Sequence, residues 1–376
     1  MRSDSFHSFY LSLSRVTPVT PFKMSEKQKM DAIVLHGVSD LRHEQVPVPE
    51  ADSGNARVRI GFCGVCGSDI PRCFVKGTYH FPTICGHEFA GTIEAIGEGE
   101  TTFAVGDRVA VFPLIWNEDH PACEVGKYAQ SDGYDYLGSR SDGAFSEYVV
   151  APFRNLIKVP DNVSLEEASM TEPAAVALHA VRRARVRMGD TVAVFGLGPI
   201  GLMTAQWLKA SGAGKILLFD VLEQKLQVAK ELGFDDVFNS LEVDPVETIN
   251  DLTSGHGVHV AIEGAGVPPT MLAALQATRR SGRVVLLGNP NSDVTLPAAL
   301  ISQCMRREIE ILGTWNSDYS VYSDDDDWRT VLDAMSSGLL NLKPLITHSV
   351  SIAEGIQALE MMRDQSEFFN KVLIHP

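Results

Sequence analysis

The stretch Gly196-Leu197-Gly198-Pro199-Ile200-Gly201 lies between an apolar run, Asp190-Thr191-Val192-Ala193-Val194-Phe195, and a helix-like run from Leu202 to Lys209. The order is strand, glycine turn, helix. A second apolar run, Lys215-Ile216-Leu217-Leu218-Phe219, ends at Asp220, about 20 residues past the turn. Together these form a dinucleotide-binding fingerprint. The glycines permit a tight turn and close approach of a pyrophosphate. The helix N-terminus offers unpaired amide donors and the positive end of its dipole. Asp220 can accept hydrogen bonds from a ribose with two free hydroxyls and would repel a 2′-phosphate. No arginine follows it closely, so NAD is expected over NADP. The cofactor-binding residues on this reading are Gly196, Leu197, Gly198, Pro199, Ile200, Gly201 and Asp220. The competing reading is an ordinary glycine-rich turn in another α/β fold. The flanking elements, and the acid at the right distance, favour the fingerprint.

The chain has 376 residues, enough for about two domains with cores of their own. A formal net charge of −16 speaks against nucleic acid or an anionic membrane as partner. No window is long and apolar enough to span a bilayer. The six cysteines, Cys63, Cys66, Cys73, Cys85, Cys123 and Cys304, read as buried residues or metal ligands rather than a disulfide framework. Met1 to Lys23 is rich in Ser and Thr and shows no sustained period. A second methionine, Met24, opens a plausible start for a cytoplasmic enzyme. Residues 1–29 are therefore expected to be a disordered or mispredicted extension, with a transit-like leader as the alternative.

After Lys29 the chain reads as short strands and turns. Met30–Leu35, Ala56–Ile60, Gly91–Gly97 and Asp107–Val111 are candidates. From about Ser164 helix signals appear. Strands are then expected at 191–195, 215–219, 236–238, 258–262, 283–287 and 309–312, with helices between them. That alternation predicts a doubly wound parallel sheet of six strands. The tail beyond Trp315 has two helical stretches and a final strand at Lys371–Ile374. It most simply returns to the N-terminal region. The predicted organisation is a mainly-β domain, 30–180 and 315–376, with a dinucleotide-binding domain, 181–314, inserted. The acidic run Asp324 to Asp327 reads as a solvated loop or a helix start.

Three segments hold residues that suit a metal. Cys66 lies in Gly64-Val65-Cys66-Gly67-Ser68-Asp69, His87 and Glu88 in Cys85-Gly86-His87-Glu88-Phe89-Ala90-Gly91, and Glu172 in Met170-Thr171-Glu172-Pro173. Thiolate, imidazole and carboxylate together suit zinc. A catalytic site uses three protein ligands and keeps a fourth position open. Each segment alone is weak evidence, since a lone Cys is usually a small buried hydrophobe.

The order of these segments, followed by the glycine fingerprint, resembles the zinc-dependent medium-chain dehydrogenases. The likeness runs from about Met30 to Pro376 and is nearest the polyol branch, galactitol-phosphate enzymes included. It is carried also by Gly138-Ser139-Arg140-Ser141-Asp142-Gly143, by Leu178-His179-Ala180 and by Leu312-Gly313-Thr314-Trp315. The resemblance implies a GroES-like mainly-β catalytic domain and a Rossmann cofactor domain. It implies that Cys66, His87 and Glu172 hold one catalytic zinc, with Glu88 a neighbouring carboxylate able to approach it. The expected reaction passes a hydride from a secondary hydroxyl to NAD, with the hydroxyl's pKa lowered by zinc. Ser68 is placed to take the hydroxyl's proton. Asp69 is placed to accept from the second ring nitrogen of His87. Relatives often carry a relay histidine near position 71, where this chain has Pro71. A homodimer or homotetramer is also implied.

The substrate expected from the resemblance is a polyol phosphate like galactitol 1-phosphate. Arg72, Lys76 and Arg140 are candidate phosphate ligands, and Trp315 a candidate cleft residue. The acidic run at Asp324 to Asp327 would disfavour a phosphate if it faced the cleft. A free polyol of the sorbitol type and a threonine-type amino alcohol are the alternatives. A non-catalytic nucleotide-binding homologue, or a zinc-free quinone reductase, should have lost Cys66, His87 and Glu172, and all three are present.

Relatives often hold a second, structural zinc with four cysteines. The matching positions here are Asn117, His120, Cys123 and Ser131, which cannot close a tetrahedral site. Elemental analysis of purified protein is expected to give one zinc ion per subunit, and two would overturn that reading.

Overall fold

The computed structural model describes residues 24–376, so the extension expected at the N-terminus lies, up to residue 23, outside the described residues. Met24 to Lys29, assigned to that extension, instead begin the strand Met24–Gly37, which pairs antiparallel with Asp40–Pro49. Two larger sheets organise the rest. In the first, Asn55–Gly64 pairs antiparallel with Glu88–Ile96 along one side. Along its other side lie Tyr148–Pro152 at its start and Lys371–His375 at its end. The closing strand of the chain is thus built into the N-terminal sheet.

The second sheet is wholly parallel. Its strands are β1 Thr191–Phe195, β2 Lys215–Asp220, β3 Val237–Asn239, β4 Val258–Glu263, β5 Thr278–Leu286 and β6 Glu310–Gly313. Their spatial order is β3-β2-β1-β4-β5-β6, the doubly wound order in which ligands bind where the order reverses. The central strands β1 and β4 are buried on both faces, which is why their runs are apolar rather than alternating. In β1, Val192 and Val194 join the core that contains Leu202, Met203 and Leu226. Ala193 and Phe195 join the opposite core, with Ile249, Leu275 and Leu300.

The sequence-based boundary between residues 180 and 181 falls inside a continuous helix, α1 Thr171–Ala184. Helices Pro199–Ala210, numbered α2, and Asp327–Ser336, numbered α3, pack against it. One apolar cluster includes Ala174, Val181, Leu202, Trp328 and Val331 together with Phe112 and Leu114 of the first domain. The Trp207 indole N–H donates to the Ala174 carbonyl at 3.0 Å. A boundary read from composition cannot see this, because both sides of such a helix are apolar.

The acidic run opens α3, but it is not a solvated face. Asp326 caps that helix through the Arg329 N–H at 2.7 Å. Asp327 is fully buried against His179 at 3.1 Å and Arg182 at 2.8 Å. Asp325 and Asp324 face Arg182 and Arg329, so every carboxylate of the run has a cation beside it.

Candidate active site

Strand register assembles the metal-binding residues. Gly64 is the ladder partner of Glu88, so the turn after Gly64, with Cys66, and the residue before Glu88, His87, meet at one end of the pair. Ligand atoms of Cys66, His87 and Glu88 lie within 4.8 Å of one another. Gly64 has to be glycine: a Cβ there would collide with the Glu88 carboxylate and lie 2.9 Å from Cε of Lys371.

Asp69 braces the cluster from behind. It is fully buried and accepts the Cys66 N–H at 3.0 Å. Its other oxygen pairs with Arg72 and stands 3.5 Å from His87 Nδ1. The expected Asp69–His87 hydrogen bond is therefore aimed but longer than a normal one, and Nδ1 has no hydrogen-bond partner. Burial works against ionisation of Asp69, but His87 and Arg72 outweigh it and lower its pKa. Burial likewise opposes the imidazolium of His87, and the charges of Asp69 and Cys66 overcome it and raise its pKa. Ser68 is exposed at the mouth of the turn, its backbone N–H turned to the Cys66 sulfur at 3.5 Å.

Glu172 stands at the N-terminal turn of α1, buried. It is outside the tight cluster, and its Oε1 accepts the Tyr136 hydroxyl at 3.0 Å. Burial pushes its carboxyl up to about 7, opposed by the nearby His87. Glu88 is paired with Lys371, both about 2% exposed. Lys371 also donates to the Val65 carbonyl at 3.1 Å. Burial opposes its charge, but Glu88 holds its pKa above the usual lysine value.

The donor set fits zinc. Asp69 is matched by Arg72 and Glu88 by Lys371, which leaves Cys66, His87 and Glu172 without a fixed cation of their own. Thiolate, imidazole and carboxylate are the ligands zinc prefers.

The glycine turn lies at the C-terminal end of β1, at the switch point. Gly196 has φ +94°, a left-handed value that favours glycine. A Cβ on Gly198 would meet nothing within 4 Å, leaving room for an approaching phosphate, whereas one on Gly201 would collide with the Gly196 carbonyl. Pro199 and Ile200 open α2. Asp220 ends β2 and is nearly buried. Its carboxylate accepts the Leu197 N–H at 2.6 Å and the Val221 and Leu222 N–H groups at 2.7 and 3.0 Å.

In the lobe at 117–131, Asn117, His120, Cys123 and Ser131 all bond within the protein. The Cys123 thiol donates to the Asn117 carbonyl at 3.1 Å and Ser131 to the Tyr128 carbonyl at 2.7 Å. His120 caps a short helix through the Ala122 N–H. Trp116 stacks on Tyr128 at 4.1 Å, and Lys127 grips both oxygens of Asp318 at 3.0 Å. A second group of potential ligands, His179, Asp318 and Asp327, already faces Lys127 and Arg182.

The candidate phosphate ligands separate. Arg72 is engaged by Asp69 beside the metal cluster. Arg140 lies between two tyrosine rings, 4.4 Å from the centroid of Tyr79 and 4.3 Å from that of Tyr134. Lys76 is exposed at the end of a short helical turn, and Trp315 is 60% exposed. Sequence reasoning missed Lys371 and Tyr136. A lysine opening the apolar strand Lys371–His375 was a faint signal for the first. Nothing in the sequence pointed to the second.

With this geometry in hand, two family matches cover most of the chain. The alcohol dehydrogenase GroES-like domain matches residues 52–161 and the zinc-binding dehydrogenase domain residues 199–337. The chain is 34% identical over 337 residues to galactitol 1-phosphate 5-dehydrogenase of Escherichia coli (strain K12), covering 89% of this chain and 97% of that protein. It is 32% identical over 356 residues to sorbitol dehydrogenase of Bacillus subtilis (strain 168), covering 93% and 98%. The crystal structure of galactitol-1-phosphate dehydrogenase from Escherichia coli superposes with a TM-score of 0.87 at 32% identity, covering 92% of this chain and 100% of that one. The chain belongs to the zinc-dependent medium-chain dehydrogenase family, within its alcohol and polyol dehydrogenases.

Replacing Lys371 by Met leaves the Glu88 carboxylate buried without its cation. Removing one partner of such a pair costs about 3 kcal/mol. Chemical denaturation of metal-free protein is expected to show that loss. An unchanged midpoint would mean that the pair contributes nothing to stability.

Proposed function

We propose that the protein oxidises a secondary hydroxyl of a polyol phosphate like galactitol 1-phosphate, with one zinc ion and NAD, in the cytoplasm. The observation that carries this reading is the convergence of Cys66, His87 and Glu88, with the buried Glu172 near His87. When bound, zinc lowers the pKa of the hydroxyl and the nicotinamide ring accepts the hydride. The residues do the rest. Cys66, His87 and Glu172 would hold the metal, and Asp69 fixes the Cys66 turn and stands 3.5 Å from His87 Nδ1. Ser68 Oγ takes the hydroxyl's proton at the open mouth of the turn. Asp220, at the end of β2, favours NAD over NADP by its charge. The six unpaired thiols suit a reducing compartment.

Two observations bear on the phosphate. Within the acidic run, Asp326 and Asp327 are buried against Arg329 and Arg182, which lessens its repulsion. Lys76 makes no ion pair among the described residues and is open to solvent. The engagement of Arg72 by Asp69 and of Arg140 by its tyrosines favours a second reading, a free polyol of the sorbitol type.

A homodimer or homotetramer is supported by β6, an unpaired sheet edge. Ile301, Met305, Ile311 and Trp315, on and beside it, are 45%, 73%, 49% and 60% exposed. An uncovered edge with apolar flanks invites pairing with a second copy. Sedimentation at micromolar concentration is expected to give a species larger than the monomer, and a monomer throughout would remove this reading.

NAD reduction by zinc-replete protein is expected to be much faster on galactitol 1-phosphate than on galactitol or sorbitol. A preference for the free polyols would move the enzyme to the sorbitol-type reading. Cys66→Ala is expected to abolish turnover on any of them, and full activity in that variant would refute the zinc chemistry.

A further inference from the structure

Tyr136 is held with little freedom. Its backbone pairs with Leu114 in a short ladder. Its carbonyl accepts the N–H groups of Ser139, Arg140 and Ser141 at 3.1, 2.9 and 3.3 Å. The ring meets His87 edge-on, with centroids 5.7 Å apart and planes at 66°, and on another side meets Tyr134. A ring clamped in this way presents its hydroxyl in one direction. That direction is Glu172, whose Oε1 accepts the hydroxyl at 3.0 Å. Among the described residues this is the one hydrogen bond to the Glu172 carboxylate, and Oε2 has no protein donor. The carboxylate is carried on the first turn of α1, so its backbone is fixed while its side chain keeps three rotatable bonds.

We infer that Tyr136 is a positioning residue for the metal ligand Glu172, tethering one carboxylate oxygen so that the other is aimed at the Cys66–His87 pocket. The inference rests on the zinc reading above. A glutamate free to move would have to be ordered by the metal itself, and that ordering cost lowers affinity. A tether already made in the metal-free protein removes most of it. The same tether separates the roles of the two glutamates. Glu88 is committed to Lys371, a full counter-charge, whereas Glu172 is held only by a neutral phenol and keeps its own charge for the ion. A phenylalanine at 136 would keep the edge contact with His87 and lose only the tether.

The test is zinc affinity of the full chain, stripped of metal and titrated against a chromophoric chelator, for the parent, Tyr136→Phe, Glu172→Ala and the double variant. Loss of a residue that orients a ligand costs 10–100-fold in affinity. Tyr136→Phe is expected to weaken zinc about 10-fold in the parent background and to change little where Glu172 is already alanine. Thermal stability of the metal-free protein is expected to be little altered, which separates positioning from packing. Unchanged zinc affinity in Tyr136→Phe would overturn the inference. An equal loss in both backgrounds would also overturn it, because the effect would then not run through Glu172. A parent chain whose zinc binding is insensitive to Cys66→Ala would overturn the zinc reading and this inference together.

Discussion

The buried pair of Glu88 and Lys371 constrains more of this chain than any other contact. A carboxylate removed from water needs a partner, and the partner here lies at the far end of the sequence. The strand carrying Lys371 must therefore return beside Asn55–Gly64, and it does so. The parallel sheet thus lies, along the chain, between strands of the first sheet. The pair also settles how Glu88 can behave. With its charge matched, it stands next to the metal pocket without overloading it, and Glu172 is left as the carboxylate with charge to offer.

Helix α1 is the second organising element. Its first turn delivers Glu172 to the metal pocket, while Val181 and Ala184 at its other end lie in the core shared with the cofactor domain. Both α2 and α3 pack against it. A dehydrogenase needs its metal and its nicotinamide at a fixed separation, because a misplacement of about 1 Å can cost a hundredfold in rate. A helix packed on both neighbours meets that need better than a loop would.

The lobe at 117–131 is held by ordinary interactions among its own residues and with its neighbours. Aromatic stacking of Trp116 on Tyr128, the Cys123 and Ser131 hydrogen bonds and the Lys127–Asp318 pair bind it to the rest of the molecule.

The cofactor half was legible in the sequence because its signals are local. A glycine turn, an acid at a fixed spacing and apolar runs buried on both faces are read within a few tens of residues. The strands expected at 191–195 and 215–219 followed from them, and the second ends at Asp220. Cys66, His87 and Glu88 could be picked out by residue type, but their meeting depends on a strand register that pairs Gly64 with Glu88. Arg72, a candidate phosphate ligand, is paired with Asp69, and Asp327, in a run read as a solvated loop or a helix start, opens α3 and is buried. Lys371 and Tyr136 carried almost no signal, since a lysine far down the chain and a tyrosine in a turn acquire their roles only from what folding sets beside them. The sequence by itself determined the element types, the dinucleotide turn and the candidate ligands, because propensity, spacing and side-chain chemistry are properties of short segments. Only the tertiary structure decided which charges are matched and which are left over for a metal. That balance depends on distances between residues hundreds of positions apart.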